Sequence, residues 1–237
     1  MAVALKTLKI NGIDVTARAD ETILQAAREN DIFIPTLCQL DGISTYGACR
    51  LCIVEVKGIN KLLPSCCTLV EEGMEVTTET EIIKEHRKII LSMIFAERNH
   101  TCAVCVSNGC CELQDLSVKL GLEHIEVPYL YPKVEVDATH KHFISDHNRC
   151  ILCARCVRVC DEIEGAHIWD IKNRGISARV ITGFNEPWGE VEDCTNCGKC
   201  VQVCPVGALS EKGVAAGEMK KNRNFLTYIV EMRASHE

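Results

Sequence analysis

The chain opens with two short runs in which apolar and polar residues alternate, VALKTLKI and IDVTA, separated by Asn11-Gly12. A period of two turns one face of each run toward a core, and Asn-Gly accepts the positive φ of a type I′ turn, so the pattern predicts a β-hairpin. Ile23, Leu24 and Ala27, with Ile32 after them, then recur at helical spacing and predict a helix over residues 21–30 capped by Asp20. Strands are expected over 53–57 and 61–63, joined by Gly58-Ile59-Asn60, and another near 74–78. Hairpin, helix and further strands make a small α+β unit ending near Thr80.

Residues 81–98, EIIKEHRKIILSMIFAER, place Ile82, Ile83, Ile89, Ile90, Met93 and Ile94 at helical intervals with charges between them. This predicts an amphipathic helix that delivers the chain to HTCAVCVSNGCCELQ. A short helix is expected over 115–122, and the stretch 123–139, with Pro128 and Pro132, reads as a connection. HIWDI and SARVITGF flank Asn173-Arg174-Gly175 as a second hairpin. In the tail, Phe225, Leu226, Tyr228, Ile229 and Met232 form an apolar helical side that either packs on the chain's own body or docks on a neighbouring subunit.

Composition changes this picture in one respect: 17 of the 237 residues are cysteine. The number is odd and C-x2-C repeats, which is the spacing of metal or cluster sites rather than of a disulfide framework. Lys6 and Lys9 interrupt what would be the apolar run of a signal peptide, and no run approaches about eighteen apolar residues. A cytoplasmic protein without a membrane span is expected. The net charge of −7 does not suit a chain that tracks nucleic-acid phosphates.

CILCARCVRVC (150–160) and CTNCGKCVQVC (194–204) are two copies of C-x2-C-x2-C-x3-C. In the two-cluster arrangement the fourth cysteine of each run binds the other run's cluster. One [4Fe-4S] cluster is therefore assigned to Cys150, Cys153, Cys156 and Cys204, the other to Cys194, Cys197, Cys200 and Cys160. Pro205 follows Cys204 as the motif prescribes, whereas Asp161 follows Cys160. Zinc is the rival occupant, but it takes two C-x2-C knuckles per ion, and the interleaved spacing fits that badly.

The group Cys38, Cys49, Cys52 and Cys66 is similar to, without matching, the plant-type [2Fe-2S] spacing. His100, Cys102, Cys105 and Cys111 read as a His/Cys3 [4Fe-4S] site, in which a neutral imidazole replaces one thiolate. Cys67 and Cys110, each beside an assigned ligand, are left over as small buried hydrophobes. His140, His142 and His147 receive no role. The cofactors are thus one [2Fe-2S] and three [4Fe-4S] clusters. No acid/base pair or activated nucleophile is evident, so no catalytic residue is assigned.

In this order the motifs PTLCQLDGISTYGACRLCIVEV, LLPSCCTLVEEGM, CELQDL and DHNRCILCARCVRVCDE resemble the N-terminal part of the large iron-sulfur subunit of respiratory NADH dehydrogenase and the relay domains of [FeFe] hydrogenases. The usual His-x3-Cys is His100-x-Cys102 here. The resemblance covers residues 1 to about 210, and the short chain is most similar to the diaphorase iron-sulfur subunit of the bidirectional NAD(P)-linked [NiFe] hydrogenase. It implies a β-grasp [2Fe-2S] ferredoxin-like domain (1–79), a helical His/Cys3 segment and linker (80–139), a two-[4Fe-4S] ferredoxin-like domain (140–210) and a tail (211–237). It also implies electron relay between a flavoprotein diaphorase subunit and the [NiFe] hydrogenase small and large subunits, with a soluble ferredoxin as a further partner. The competing expectations are a relay subunit of a formate dehydrogenase or NADH:quinone reductase, a catalytic hydrogenase fragment, and a zinc-based binding module.

Overall fold

The computed structural model describes residues 4–234. The chain forms two compact units: residues up to 39 together with 45–91, and residues 40–44 together with those from 92 onward.

In the first unit the alternating runs are β1 (Leu5–Ile10) and β2 (Ile13–Arg18), paired antiparallel. Asn11 (φ 53°) and Gly12 (φ 81°) both take the positive φ that the type I′ turn requires. Helix α1 (Ile23–Glu29) follows. Its cap is Thr22 and not Asp20: the Thr22 hydroxyl accepts from the Gln25 amide at 3.3 Å and the Gln25 side chain accepts from the Thr22 amide at 2.9 Å, a reciprocal capping box. Asp20 instead takes a hydrogen bond from Arg18. Strands β3 (Ile53–Val56), β4 (Leu63–Pro64) and β5 (Glu75–Thr77) complete a five-stranded sheet of order β2-β1-β5-β3-β4, in which β1 and β5 run parallel. Leu8, Ile10 and Val15 of the hairpin, Leu24 and Ala27 of α1, and Val54 of β3 share one buried core, so the helix covers one face of the sheet.

Helix α2 (Glu81–Glu97) has a different inner face from the one its isoleucines predict. Ile83, Arg87 and Leu91 are buried, whereas Ile82, Ile89 and Met93 are each at least half exposed. The buried stripe runs through Arg87 because its guanidinium finds acceptors: Nε donates to the Leu51 carbonyl at 3.0 Å and Nη2 to the Ile53 carbonyl at 2.9 Å, on either side of Cys52. Burial lowers the Arg87 pKa to about 10, still well above neutrality, so the charge is kept.

The second unit contains α3 (Glu112–Lys119), which begins at Glu112 rather than Asp115. Cys111 is its N-cap residue, and Glu112 and Asp115 in the first turn complement the positive end of the helix dipole. Strands β6 (Val136–Asp137) and β7 (Phe143–Asp146) precede α4 (Arg155–Val159), which continues through a π-helical turn, Cys160–Glu164. The predicted second hairpin is β8 (Trp169–Lys172) and β9 (Arg179–Thr182), paired antiparallel. After α5 (Lys199–Val203), β10 (Leu209–Glu211) joins β7 and β6 in a sheet of order β10-β7-β6. Helix α6 (Asn224–Ala234) buries Leu226 against Gly42 of the same unit and leaves Tyr228 exposed, so this tail packs on the chain's own body. No helix among the described residues is long and apolar enough to cross a membrane.

Replacing Arg87 by Met strips two buried carbonyls of charged donors, and about 3 kcal/mol of stability is expected to be lost. Urea unfolding of the full chain measures this against Lys84→Met, an exposed change on the same helix for which less than about 0.5 kcal/mol is expected.

Candidate metal centres

The two cysteine runs share a left-handed backbone at the same two positions and each continues into a short helix. Leu152 (φ 53°) and Ala154 (φ 57°) in the first run correspond to Asn196 (φ 60°) and Gly198 (φ 70°) in the second. Left-handed residues at these alternate positions turn the chain within each C-x2-C-x2-C, and in the first run the Leu152 and Arg155 amides hydrogen-bond to the Cys150 and Cys153 sulfurs. For leucine and alanine this conformation is strained, and such strain persists where the surroundings hold it in place. Helices α4 and α5 leave these loops and carry Cys160 and Cys204 past them.

Consequently the eight cysteines divide between two voids. One is lined by Cys150, Cys153, Cys156 and Cys204, the other by Cys160, Cys194, Cys197 and Cys200, so each run sends its last cysteine to its partner's void. Burial pushes the Cys150 thiol up to about 12 and Cys153 to about 11, and raises Cys156 and Cys200 as well. Such thiols ionise only when a cation compensates them. Trp169 and Trp188 close the second void; neither was singled out in the sequence, where a lone tryptophan carries no spacing signal.

A third void is lined by His100, Cys102, Cys105 and Cys111, together with Phe95, Arg149 and Gly207. His100 is partly buried, and its Nε2 atom is buried without a hydrogen-bond partner among the described residues. Burial lowers its pKa to about 4, with the Ile94 backbone as a hydrogen-bond partner. An imidazole held neutral with one orphaned nitrogen in a ring of three sulfurs has the chemistry of a ligand. Gly207 approaches so closely that a Cβ there would lie 2.4 Å from the Cys105 sulfur. Cys110 is exposed and outside this void, while Cys111 is buried and lines it.

In the first unit Cys38, Cys52 and Cys66 are buried, and Cys49 is partly so. The Leu37 amide donates to the Cys49 sulfur at 3.3 Å, the Cys49 amide lies 3.5 Å from the Cys38 sulfur, and the Cys52 and Cys66 sulfurs are 3.3 Å apart. Hydrogen bonding within each thiol pair lowers Cys49 to about 5 and Cys52 to about 7 while raising Cys38 and Cys66. Cys67 is exposed beside Cys66, contrary to the buried role expected of it. Gly47, at φ 69°, leaves room for that sulfur, which an added Cβ would meet at 2.8 Å.

Among the described residues no His, Cys, Asp or Glu side chains converge on a site for a single metal ion. The donors instead surround voids, as they must to hold a multi-iron core with one residue on each corner. Cys197 is exposed and Cys102, Cys150 and Cys194 are partly buried; four donors lining each void and an orphaned imidazole nitrogen fit iron-sulfur clusters.

Two arginines, Arg155 buried and Arg223 partly exposed, bind these sites together. Arg155 forms a two-pronged ion pair with Glu112 at 2.8 and 2.9 Å, and Arg223 meets the same carboxylate. Burial by itself would raise the Glu112 pKa, but the two arginines hold it below the ordinary carboxylate value. The Glu112 amide also donates to the Pro205 carbonyl at 3.0 Å, and Val206 lines both the His100 void and the Cys150 void.

Comparison with known proteins agrees with this geometry. Residues 6–81 match a family model described as a 2Fe-2S iron-sulfur cluster binding domain, 87–126 the NADH-ubiquinone oxidoreductase-G iron-sulfur binding region, and 142–210 the NADH-quinone oxidoreductase subunit 3 ferredoxin-like domain. The chain is 37% identical over 215 residues to the NADPH-Fe(3+) oxidoreductase subunit alpha of Geobacter sulfurreducens, covering 87% of this chain but only 24% of that one. It thus spans about a quarter of such longer relatives. The NAD-reducing hydrogenase HoxS subunit gamma of Cupriavidus necator is 30% identical over 228 residues, with 96% of each chain covered. A chain of a solved NAD+-reducing [NiFe]-hydrogenase in the H2-reduced state superposes with a TM-score of 0.83 at 33% identity, over 90% of this chain and 89% of that one. With 30% identity over 96% of both chains, the chain belongs to the family of the NAD-reducing hydrogenase gamma subunit.

Proposed function

We propose that this chain is a non-catalytic electron-relay subunit of a cytoplasmic NAD(P)-linked [NiFe] hydrogenase. In this reading it passes electrons between a flavoprotein diaphorase subunit and the small and large hydrogenase subunits, with a soluble ferredoxin as a further exchange partner. The observation that carries the reading is the succession of four-donor voids in the second unit: the His100 void and the Cys150 void share Val206, and the Cys150 and Cys194 voids exchange cysteines through α4 and α5. When bound, iron-sulfur clusters take up and release single electrons, with potentials set by ligands, hydrogen bonds and burial.

The chain's own residues then have distinct tasks. Cys38, Cys49, Cys52 and Cys66 hold a [2Fe-2S] cluster. His100, Cys102, Cys105 and Cys111 hold one [4Fe-4S] cluster, Cys150, Cys153, Cys156 and Cys204 a second, and Cys194, Cys197, Cys200 and Cys160 a third. Val206, Trp169 and Trp188 exclude water from these sites, while Arg155, Arg158 and Lys221 supply positive charge that offsets the thiolates. Division of the chain at 1–79, 80–139, 140–210 and 211–237 goes with this assignment. A second reading, a relay subunit of an NADH:quinone reductase, is favoured by the names of two of the matching family models; end-to-end coverage by a hydrogenase subunit argues for the first.

Anaerobically purified chain is expected to contain about 14 irons with matching acid-labile sulfide, from one two-iron and three four-iron clusters. Zinc without sulfide would overturn the assignment. Co-purification with a flavoprotein and a [NiFe] subunit pair is expected, and a quinone-reductase complex in their place would favour the second reading.

His100→Leu is expected to lower the iron content by about four per chain. His100→Cys is expected to keep the iron and move the midpoint potential of that cluster downward, because a thiolate restores the negative charge that imidazole lacks. Iron analysis and an EPR-monitored redox titration read the two outcomes.

A further inference from the structure

His140, given no role by its place in the sequence, is buried at 3% exposure beside the Cys194 loop. Its ring stacks on Phe143 with centroids 4.8 Å apart and tilts against Trp188 at 4.7 Å. The amides of His142 and Phe143 both donate to its Nδ1, at 3.0 and 3.1 Å. A nitrogen that accepts two N–H groups carries the ring's lone pair, so in the neutral imidazole the proton must sit on Nε2. Nε2 lies 3.9 Å from the Cys194 sulfur. A side-chain hydrogen bond also links His140 to the Asn196 carboxamide, itself tied through Nδ2 to the Cys194 carbonyl at 3.1 Å.

The geometry points to His140 as a positioning residue whose Nε2–H donates to the Cys194 sulfur and raises the reduction potential of the cluster held by Cys194, Cys197, Cys200 and Cys160. The backbone fixes the tautomer, and Phe143 and Trp188 fix the ring plane, so the donor is set before any electron arrives. A hydrogen bond to a ligating sulfur withdraws electron density from the cluster and favours its more negative, reduced state. Phe143 and Trp188 also line the void, so the same aromatic group orients the donor and walls the site. This role rests on the assignment of Cys194 as a cluster ligand.

The experiment is an EPR-monitored redox titration of the full chain, purified anaerobically, as wild type, His140→Phe and His140→Gln. Phenylalanine keeps the stacked ring and removes the N–H; glutamine retains an N–H donor. The midpoint of one [4Fe-4S] cluster should fall in His140→Phe and recover in part in His140→Gln, with the other clusters unmoved. An unchanged midpoint with full iron and sulfide content overturns the hydrogen bond and leaves the ligand assignment standing, whereas loss of iron and sulfide from the wild type would overturn the assignment itself. If His140→Phe does not retain the cluster, wild-type chain labelled with 15N-histidine decides the matter. Its reduced form should show two classes of 15N coupling by ENDOR, a strong one from a directly bonded imidazole and a weak one from an imidazole one hydrogen bond away, and absence of the weak class overturns the proposal.

Discussion

Burial of sulfur without its charge being met is the constraint on which this structure depends. Three voids in the second unit are each ringed by four soft donors, and burial raises several of the thiols far above neutrality. Packing apolar side chains there would have been the simpler way to fill space. Keeping sulfur at these positions instead ties the fold to a group that can deprotonate the thiols and take their charge, so binding and folding share one free energy. The loops tolerate left-handed Leu152 and Ala154 because amides turned to the cysteine sulfurs are needed more than local backbone comfort.

Much of this was legible in the sequence, for reasons that differ between elements. The cysteine runs were readable because their spacing is fixed by the size of what they surround, and the exchange of Cys160 and Cys204 followed from pairing the two copies. Asn11-Gly12 predicted its hairpin because two consecutive positive φ values admit few residues. Asp20 was mistaken for the cap of α1 since Asp and Thr both serve there; what decides between them is the return bond from Gln25 to Thr22. The inner face of α2 was misjudged because periodicity counts isoleucines, and a buried arginine such as Arg87 is revealed only by the carbonyls it meets. His140 escaped for the same reason: the two amides that hold it lie just after it in the chain, but the sulfur it faces is 54 residues away.

Arg87 introduces a pattern that recurs at the other cysteines. Arg158 donates to the Cys153 and Ala154 carbonyls, each at 3.2 Å, and Arg155 to the Val203 carbonyl at 3.4 Å, next to Cys204. In each case a buried guanidinium takes up carbonyls that flank a cysteine. A peptide unit whose carbonyl is held outward has its neighbouring amides free to face inward, so one arginine both shapes the loop and supplies charge. At Arg87 and Arg158 the planar fork holds two carbonyls in one fixed geometry, which the flexible point charge of a lysine does not reproduce.

The same economy bears on how electrons would travel. In the second unit the sites are linked through structure rather than merely adjacent in sequence: Val206 touches two voids, Glu112 follows Cys111 while its carboxylate pairs with Arg155 between Cys153 and Cys156, and α4 begins at one void and ends at the next. A shift of any one loop would therefore alter two sites together. Such coupling fixes the spacing of the three donor-lined voids of the second unit without a separate scaffold. In the proposed assignment, a histidine ligand at one site and an imidazole N–H beside a sulfur at another would change a potential while leaving the spacing untouched.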